Sequence, residues 1–204
     1  MSLSLLRPAL DELEKRYRAN LINSLAGYKS ANLLGSVNGN GQTNLALMSS
    51  VFHIGANPPL VGMLFRPHSV PRHSLENLKE LGEFTLNVVT GDMHKQAHQS
   101  TARYDREQSE FAAVGLDEEY SEAVKAPYVA QSPIKTGLKL VETQTLNVND
   151  TVLVIGEIVE LRINENLISD DGQLDLNAAN AVAISGLDEY HLAESLGRLA
   201  YPKP

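Results

Sequence analysis

Lys29–Arg66 reads KSANLLGSVNGNGQTNLALMSSVFHIGANPPLVGMLFR. Ser30–Val37 has the pattern of a strand and runs into Asn38-Gly39-Asn40-Gly41, residues that tolerate positive φ and favour a tight reversal. Asn44–Phe52 follows as a second extended run, and Asn57-Pro58-Pro59 then punctuates the chain. Leu60–Arg66 (LVGMLFR) is a third strand, apolar enough to be buried on both faces. Three strands so close together, joined by short turns, predict an antiparallel meander.

Upstream, residues 8–25 predict one amphipathic helix: Pro8 suits a first turn, and Leu10, Leu13, Tyr17, Leu21 and Leu25 recur at helical steps. Downstream, a short helix starts near Ser74 as its N-cap and ends at Gly82. Glu83–Val89 alternates as a strand, and Asp92 caps a helix running to about Ala102. Residues 103–127 read as short helices and loops. Lys135–Leu146 and Thr151–Ile163 flank the turn Asn147-Val148-Asn149-Asp150 as a long hairpin. Asn164–Asp175 reads as a loop and Asp188–Leu196 as a final helix. The expected fold is mainly β (α+β), most economically a small closed or split barrel with peripheral helices. It occupies residues 29–204, behind an N-terminal helical extension over residues 1–28.

The 204 residues carry 17 Lys and Arg against 25 Asp and Glu, a net charge of −8. That balance argues against nucleic acid or an anionic membrane as a main partner. The average hides a local excess: between Glu14 and Glu76 no acidic residue occurs, while Lys15, Arg16, Arg18, Lys29, Arg66 and Arg72 do. Cysteine is absent, which removes disulfides, cysteine–zinc sites, iron–sulfur clusters and a thiolate nucleophile. Neither a signal-peptide pattern nor a membrane-length apolar run is present, so a cytoplasmic location is the expectation.

Gly39-Asn40-Gly41-Gln42-Thr43-Asn44 approaches a dinucleotide fingerprint, but an extended run follows it instead of a helix, and it reads as a hairpin turn. His94 and His98 share a helix face at a spacing that suits a metal, yet Lys95 replaces the glutamate of the zinc-peptidase pattern and spacing indicates no third ligand. No nucleophile motif is present, so chemistry is expected from a bound cofactor. Asn44, Ser49 and Ser50 set neutral hydrogen-bonding groups among apolar ones. Arg66, His68, Ser69, Arg72, His73 and Ser74 lead into a helix N-terminus, where free N–H groups, guanidinium and hydroxyl suit a phosphate. On spacing alone, surface arginines and a simple serine cap fit equally well.

The motifs N-L-A-x-x-S-S-x-F (from Asn44), N-P-P-L-V (from Asn57), R-P-x-S-x-P-R-H-S-x-x-N-L (from Arg66) and G-E-F-T-L-N-V-V (from Gly82) occur in that order. Ser109-Glu110-Phe111, Gly115-Leu116, the V-L-V-I-G-E-I of the long hairpin, Ser185-Gly186-Leu187-Asp188 and Arg198-Leu199-Ala200-Tyr201-Pro202 follow. Over residues 25–204 the chain resembles the flavin reductase-like FMN-binding split-barrel proteins. The resemblance implies a homodimer with one FMN per subunit in a groove completed by the partner chain. It also implies reduction by NADH or NADPH and a small-molecule flavin or other electron acceptor. By position, Asn44 and Leu47, Met48, Ser49 and Ser50 would lie along the isoalloxazine and ribityl chain, and Arg66, Arg72, His73 and Ser74 would meet the phosphate. Asn87 is a candidate contact that could equally satisfy backbone, and Arg198 and Tyr201 fall in a tail that approaches the flavin in such proteins. Many relatives carry G-D-H in the long hairpin, with a histidine associated with nicotinamide use. Here the turn is Asn147-Val148-Asn149-Asp150-Thr151, so the resemblance supports the FMN site without that histidine; Tyr190 and His191 are candidate substitutes. A non-catalytic FMN-binding or electron-carrier protein and a related split barrel using haem or another phosphate-bearing cofactor are the alternatives.

Overall fold

The computed structural model describes residues 2–203. Its strands are β1 (Lys29–Ser30), β2 (Asn32–Val37), β3 (Thr43–Met48), β4 (Val51–Ala56), β5 (Pro59–Phe65), β6 (Glu83–Val88), β7 (Glu118–Glu119), β8 (Tyr128–Val129), β9 (Ile134–Thr145), β10 (Val152–Ile163), β11 (Val182–Ser185) and β12 (Glu189–Leu192). The helices are α1 (Arg7–Glu12), α2 (Lys15–Ser24), α3 (His73–Leu81), α4 (His94–Gln99) and α5 (Glu110–Val114). None of the described helices is long and apolar enough to cross a membrane.

Seven strands form one antiparallel sheet in the order β3-β2-β6-β9-β10-β5-β4. The two edge strands are consecutive in sequence, separated only by Ser49 and Ser50. A flat seven-stranded sheet would hold its edges roughly 29 Å apart at about 4.8 Å per strand. A two-residue link spans only about 11 Å. The sheet therefore curls until its edges approach each other. Irregularities in register at Ile155/Gly156, Ile158/Glu160 and His53/Gly55 supply bending. Because β3 and β4 lie at opposite edges rather than paired in the ladder, the barrel is split, as expected.

This geometry corrects the meander. The run read as one strand over Asn44–Phe52 breaks at Ser49-Ser50 into β3 and β4, and β5 pairs with β4 and β10 instead of β3. Both reversals, Asn38–Gly41 and Asn147–Asp150, form hairpin turns, with Gly41 at φ 83° and Asp150 at φ 58°.

Every residue of β2 is buried, because the sheet is covered on both faces. Leu34 joins Met63, Phe65, Leu75, Leu78, Phe84, Leu138 and Val154 in one cluster, into which α3 inserts. Its neighbour Leu33 points the other way, to Leu45, Val89, Ala97, Phe111 and Ile184 beneath α4 and α5.

Besides the start of α3, three helix expectations change. Residues 8–25 form two helices, because Glu14 leaves helical geometry to cap α2, its carboxylate accepting the Tyr17 N–H at 2.8 Å. Neither α1 nor α2 has a buried residue, so the expected apolar stripe lacks a partner within the described chain. α4 begins at His94 behind Met93, without a cap from Asp92. The final helix is instead the hairpin β11–β12, turning through Gly186 at φ 57°, with β11 pairing β1. Alternation in Val182–Ser185, where Val182 and Ile184 are buried, is the strand signal there.

Gly35 on β2 shows how closely the layers approach. A Cβ there would lie 2.1 Å from Pro127 O and 2.5 Å from Thr85 Oγ1. Gly35→Ala is expected to cost roughly 2–3 kcal/mol, as overpacking against backbone does. Urea unfolding measures it, and an unchanged midpoint would contradict the close approach.

Candidate functional site

The first turn of α3 and the outer edge of β3 meet at Asn44 and Ser74. Asn44 Nδ2 donates to Ser74 Oγ at 3.0 Å, and both residues are buried. Ser74 lies at the second helical position, since the N-cap is Arg72. Its hydroxyl proton is left to donate elsewhere. Arg72 places no side-chain acceptor on the first-turn N–H groups. Its guanidinium reaches only Pro67 O, at 3.5 Å, and its Nε is buried without a partner.

A start of helix with uncapped N–H groups, an orphaned guanidinium N–H and a buried hydroxyl is a donor set suited to phosphate. His73 opens the helix beside them. Arg66, exposed just beyond β5, makes no ion pair among the described residues.

On β3, the Leu45 N–H points away from β2 and donates to Glu110 Oε2 at 2.9 Å. By the two-residue period of a strand, Leu47 presents its N–H on that same open side. Its side chain packs partly buried on the core, and Met48 is buried in the other cluster. Ser49 and Ser50 form the link between the edges, with Ser50 Oγ donating to Leu64 O at 3.3 Å.

The remaining expected residues stand apart. Asn87 is fully buried: its amide nitrogen donates to Leu33 O at 2.9 Å and Thr85 Oγ1 at 3.0 Å, and its oxygen accepts from Val129 N at 3.0 Å. That amide serves the scaffold, joining β2, β6 and β8. Arg198 pairs with Asp171 at 2.5 Å, and Tyr201 is 89% exposed, so within one chain the tail does not reach Asn44 or Ser74. His94 Nδ1 bonds Gly91 O at 2.6 Å, and His98 Nδ1 meets the Tyr190 hydroxyl at 3.1 Å. His191 bonds Ser185 Oγ at 2.8 Å.

Three charged residues here escaped the sequence reading as site members. Glu76, the first acid after the long acid-free window, bonds Arg72 N–H, His68 and Arg106. Its place in the first turn of α3 is a legible signal, since a carboxylate is favoured there. Arg106 carries no local signal and meets its partner 30 residues away, while Glu110, marked in the sequence only within Ser109-Glu110-Phe111, meets Leu45 from 65 residues away.

Burial pushes the Glu110 carboxyl above its ordinary range, against the opposing pull of the Leu45 N–H, its own N–H and His73. A raised folded-state value makes this residue's contribution greatest at acidic pH and lost as pH rises through that value. Glu110→Ala leaves the Leu45 N–H without its acceptor and is expected to cost about 1–3 kcal/mol. Glu110→Gln keeps an acceptor and is expected to flatten the stability loss between acidic and neutral pH. Denaturation at both pH values checks the pair; equal behaviour of the two variants would contradict it.

Residues 26–177 match the family model described as the flavin reductase like domain. A Shewanella frigidimarina structure described as a flavin reductase with split barrel domain is 48% identical, covering 98% of this chain and 100% of that one at a TM-score of 0.95. Nitrilotriacetate monooxygenase component B from Bacillus cereus shares the fold at 20% identity, with 98% and 99% coverage and a TM-score of 0.86. An FMN-binding protein from Thermus thermophilus, solved with 1-cyclohex-2-enone, shares it at 17% identity, with 84% and 90% coverage and a TM-score of 0.71. With a split barrel whose β3 edge faces an anion-suited helix start, and a family match over most of its length, this chain belongs to the flavin reductase-like domain family of flavin-binding oxidoreductases.

Proposed function

We propose that this protein binds FMN and passes reducing equivalents from NADH or NADPH, through the flavin, to free flavin or another small-molecule acceptor. The observation that carries the FMN reading is the donor set at the start of α3: the unpartnered Arg72 Nε and the Ser74 hydroxyl, held by Asn44. These residues, with His73, would hold the phosphate, and the Leu47–Ser50 edge of β3 would meet the ring and ribityl chain. The bound flavin supplies the redox chemistry. The protein's part is to bind and orient it and to restrict access of water.

A non-catalytic FMN carrier is the second reading, favoured by Asn147–Asp150, where many relatives place a histidine. The absorption spectrum of the purified protein separates the two: NADH or NADPH rapidly bleaches the flavin of a reductase and leaves a carrier yellow. Arg72→Ala and Ser74→Ala are each expected to weaken FMN binding by roughly 1–3 kcal/mol, the range for hydrogen bonds to a charged group. Unchanged FMN retention in both would overturn the phosphate assignment.

The proposal includes a homodimer. The strand register turns Val61, Met63, Phe65, Val152 and Val154 inward, and so turns Leu60, Leu64, Leu153 and Ile155 outward beside Phe52 and Ile54. Phe52 and Ile54 are 43% and 41% exposed, and a second copy of the chain would cover this strip. Analytical ultracentrifugation is expected to give a dimer, and Phe52→Glu a monomer. A wild-type monomer that retains FMN would refute a shared groove.

A further inference from the structure

Glu76 is a carboxylate among the cations of the candidate phosphate pocket. One oxygen accepts the Arg72 N–H at 3.1 Å and meets His68 Nε2 at 2.9 Å, while the other holds Arg106 Nη1. Burial alone would raise its pKa; the bonds from His68, Arg72 N–H and Arg106 override it and hold the value at about 2. Glu76 is therefore ionised at any working pH. Donors from three residues converging on one anion form an arrangement that would also serve a phosphate. Arg106 uses a single N–H on Glu76 and makes no other side-chain bond among the described residues, and its side chain is 39% exposed. It therefore has donors to spare.

We infer that Glu76 is the pocket's own counter-anion, and that Arg106 turns from it toward an entering phosphate monoester, so Glu76 tunes how tightly and how selectively a dianion is held. This rests on the FMN reading above. A dianion beside Glu76 meets a repulsion that an uncharged flavin does not. Glutamine at position 76 keeps an oxygen for the Arg72 N–H and removes that repulsion. Arg106 would then be a specificity-determining residue, supplied by the loop before α5 and not by the α3 motif.

The test measures binding of FMN, of riboflavin and of inorganic phosphate to the full-length protein. Flavin fluorescence reports the first two, and phosphorus NMR line broadening reports the third. Glu76→Gln is expected to tighten FMN on the order of tenfold, a Coulomb effect at short range in a solvated pocket, and to leave riboflavin unchanged. Arg106→Ala is expected to weaken FMN about tenfold both alone and in the Glu76→Gln background. If Glu76 only caps the helix and props Arg106, Glu76→Gln binds FMN equally or more weakly and the Arg106 effect vanishes in that background; either result overturns the inference. Tighter inorganic phosphate in Glu76→Gln with no FMN binding sustains this inference and refutes the FMN reading. Binding of neither probe refutes both. Should Glu76→Gln fail to fold, by circular dichroism, Glu76→Ala takes its place with the same two outcomes, and unchanged FMN affinity in Arg106→Ala overturns the inference.

Discussion

The link Ser49-Ser50 is the constraint on which the other features depend. Two residues join strands that occupy opposite edges of a seven-stranded sheet. The sheet must curl to satisfy them, yet β3 pairs with β2 alone and keeps its other edge without a strand partner among the described residues. An unpaired strand edge is normally a liability, since its N–H and C=O groups are open to any passing strand. Here α4 and α5 lie against the cluster containing Leu45, and the Glu110 carboxylate closes the Leu45 N–H. The edge is capped at one residue by a side chain and left open beyond it. One chain constraint thus produces both the barrel and a strip of backbone able to meet a flat ligand.

How much of this is legible in the sequence follows from how local each cause is. Asn38–Gly41 and Asn147–Asp150 declare themselves because residues that tolerate positive φ concentrate there. Gly82 ends α3 where expected, in the left-handed region at φ 69°. Strand partners are a different matter. Val51–Ala56 continues directly from β3 in the sequence, and only the pairing of β5 with β10 reveals that the chain has crossed to the other edge. The C-terminal error has a similar source: His191, Tyr190 and their neighbours fit a helix locally, and the decision comes from burying Val182 and Ile184 on a strand tied to β1.

The site divides in the same way. Asn44 and Ser74 are adjacent in space although they are 30 residues apart, and the motif order placed them together only through resemblance. Asn87 looked equally polar in sequence. Its position at the centre of the sheet, facing Leu33 O and Val129 N, commits its amide to backbone that would otherwise be buried without partners. A polar residue in a strand is thus ambiguous until its neighbours are known, and long-range pairing settles it.

Charge is where sequence averaging misleads most. The acid-free window suggested arginines without a counterion, yet folding brings Glu76 and Glu110 to its edges. Their environments separate them. Glu110 is deep enough that burial prevails over its hydrogen bonds and raises its pKa. Glu76 has donors from His68, Arg72 and Arg106, which prevail over burial and keep its charge in full. Of the two carboxylates, Glu76 is the one whose ionised form its neighbours favour. It also holds Arg106, a cation with spare donors. Repulsion and reserve attraction therefore reside in a single ion pair, and on the proposed reading it is the balance within that pair, more than the net charge of −8, that would set the affinity for a dianion.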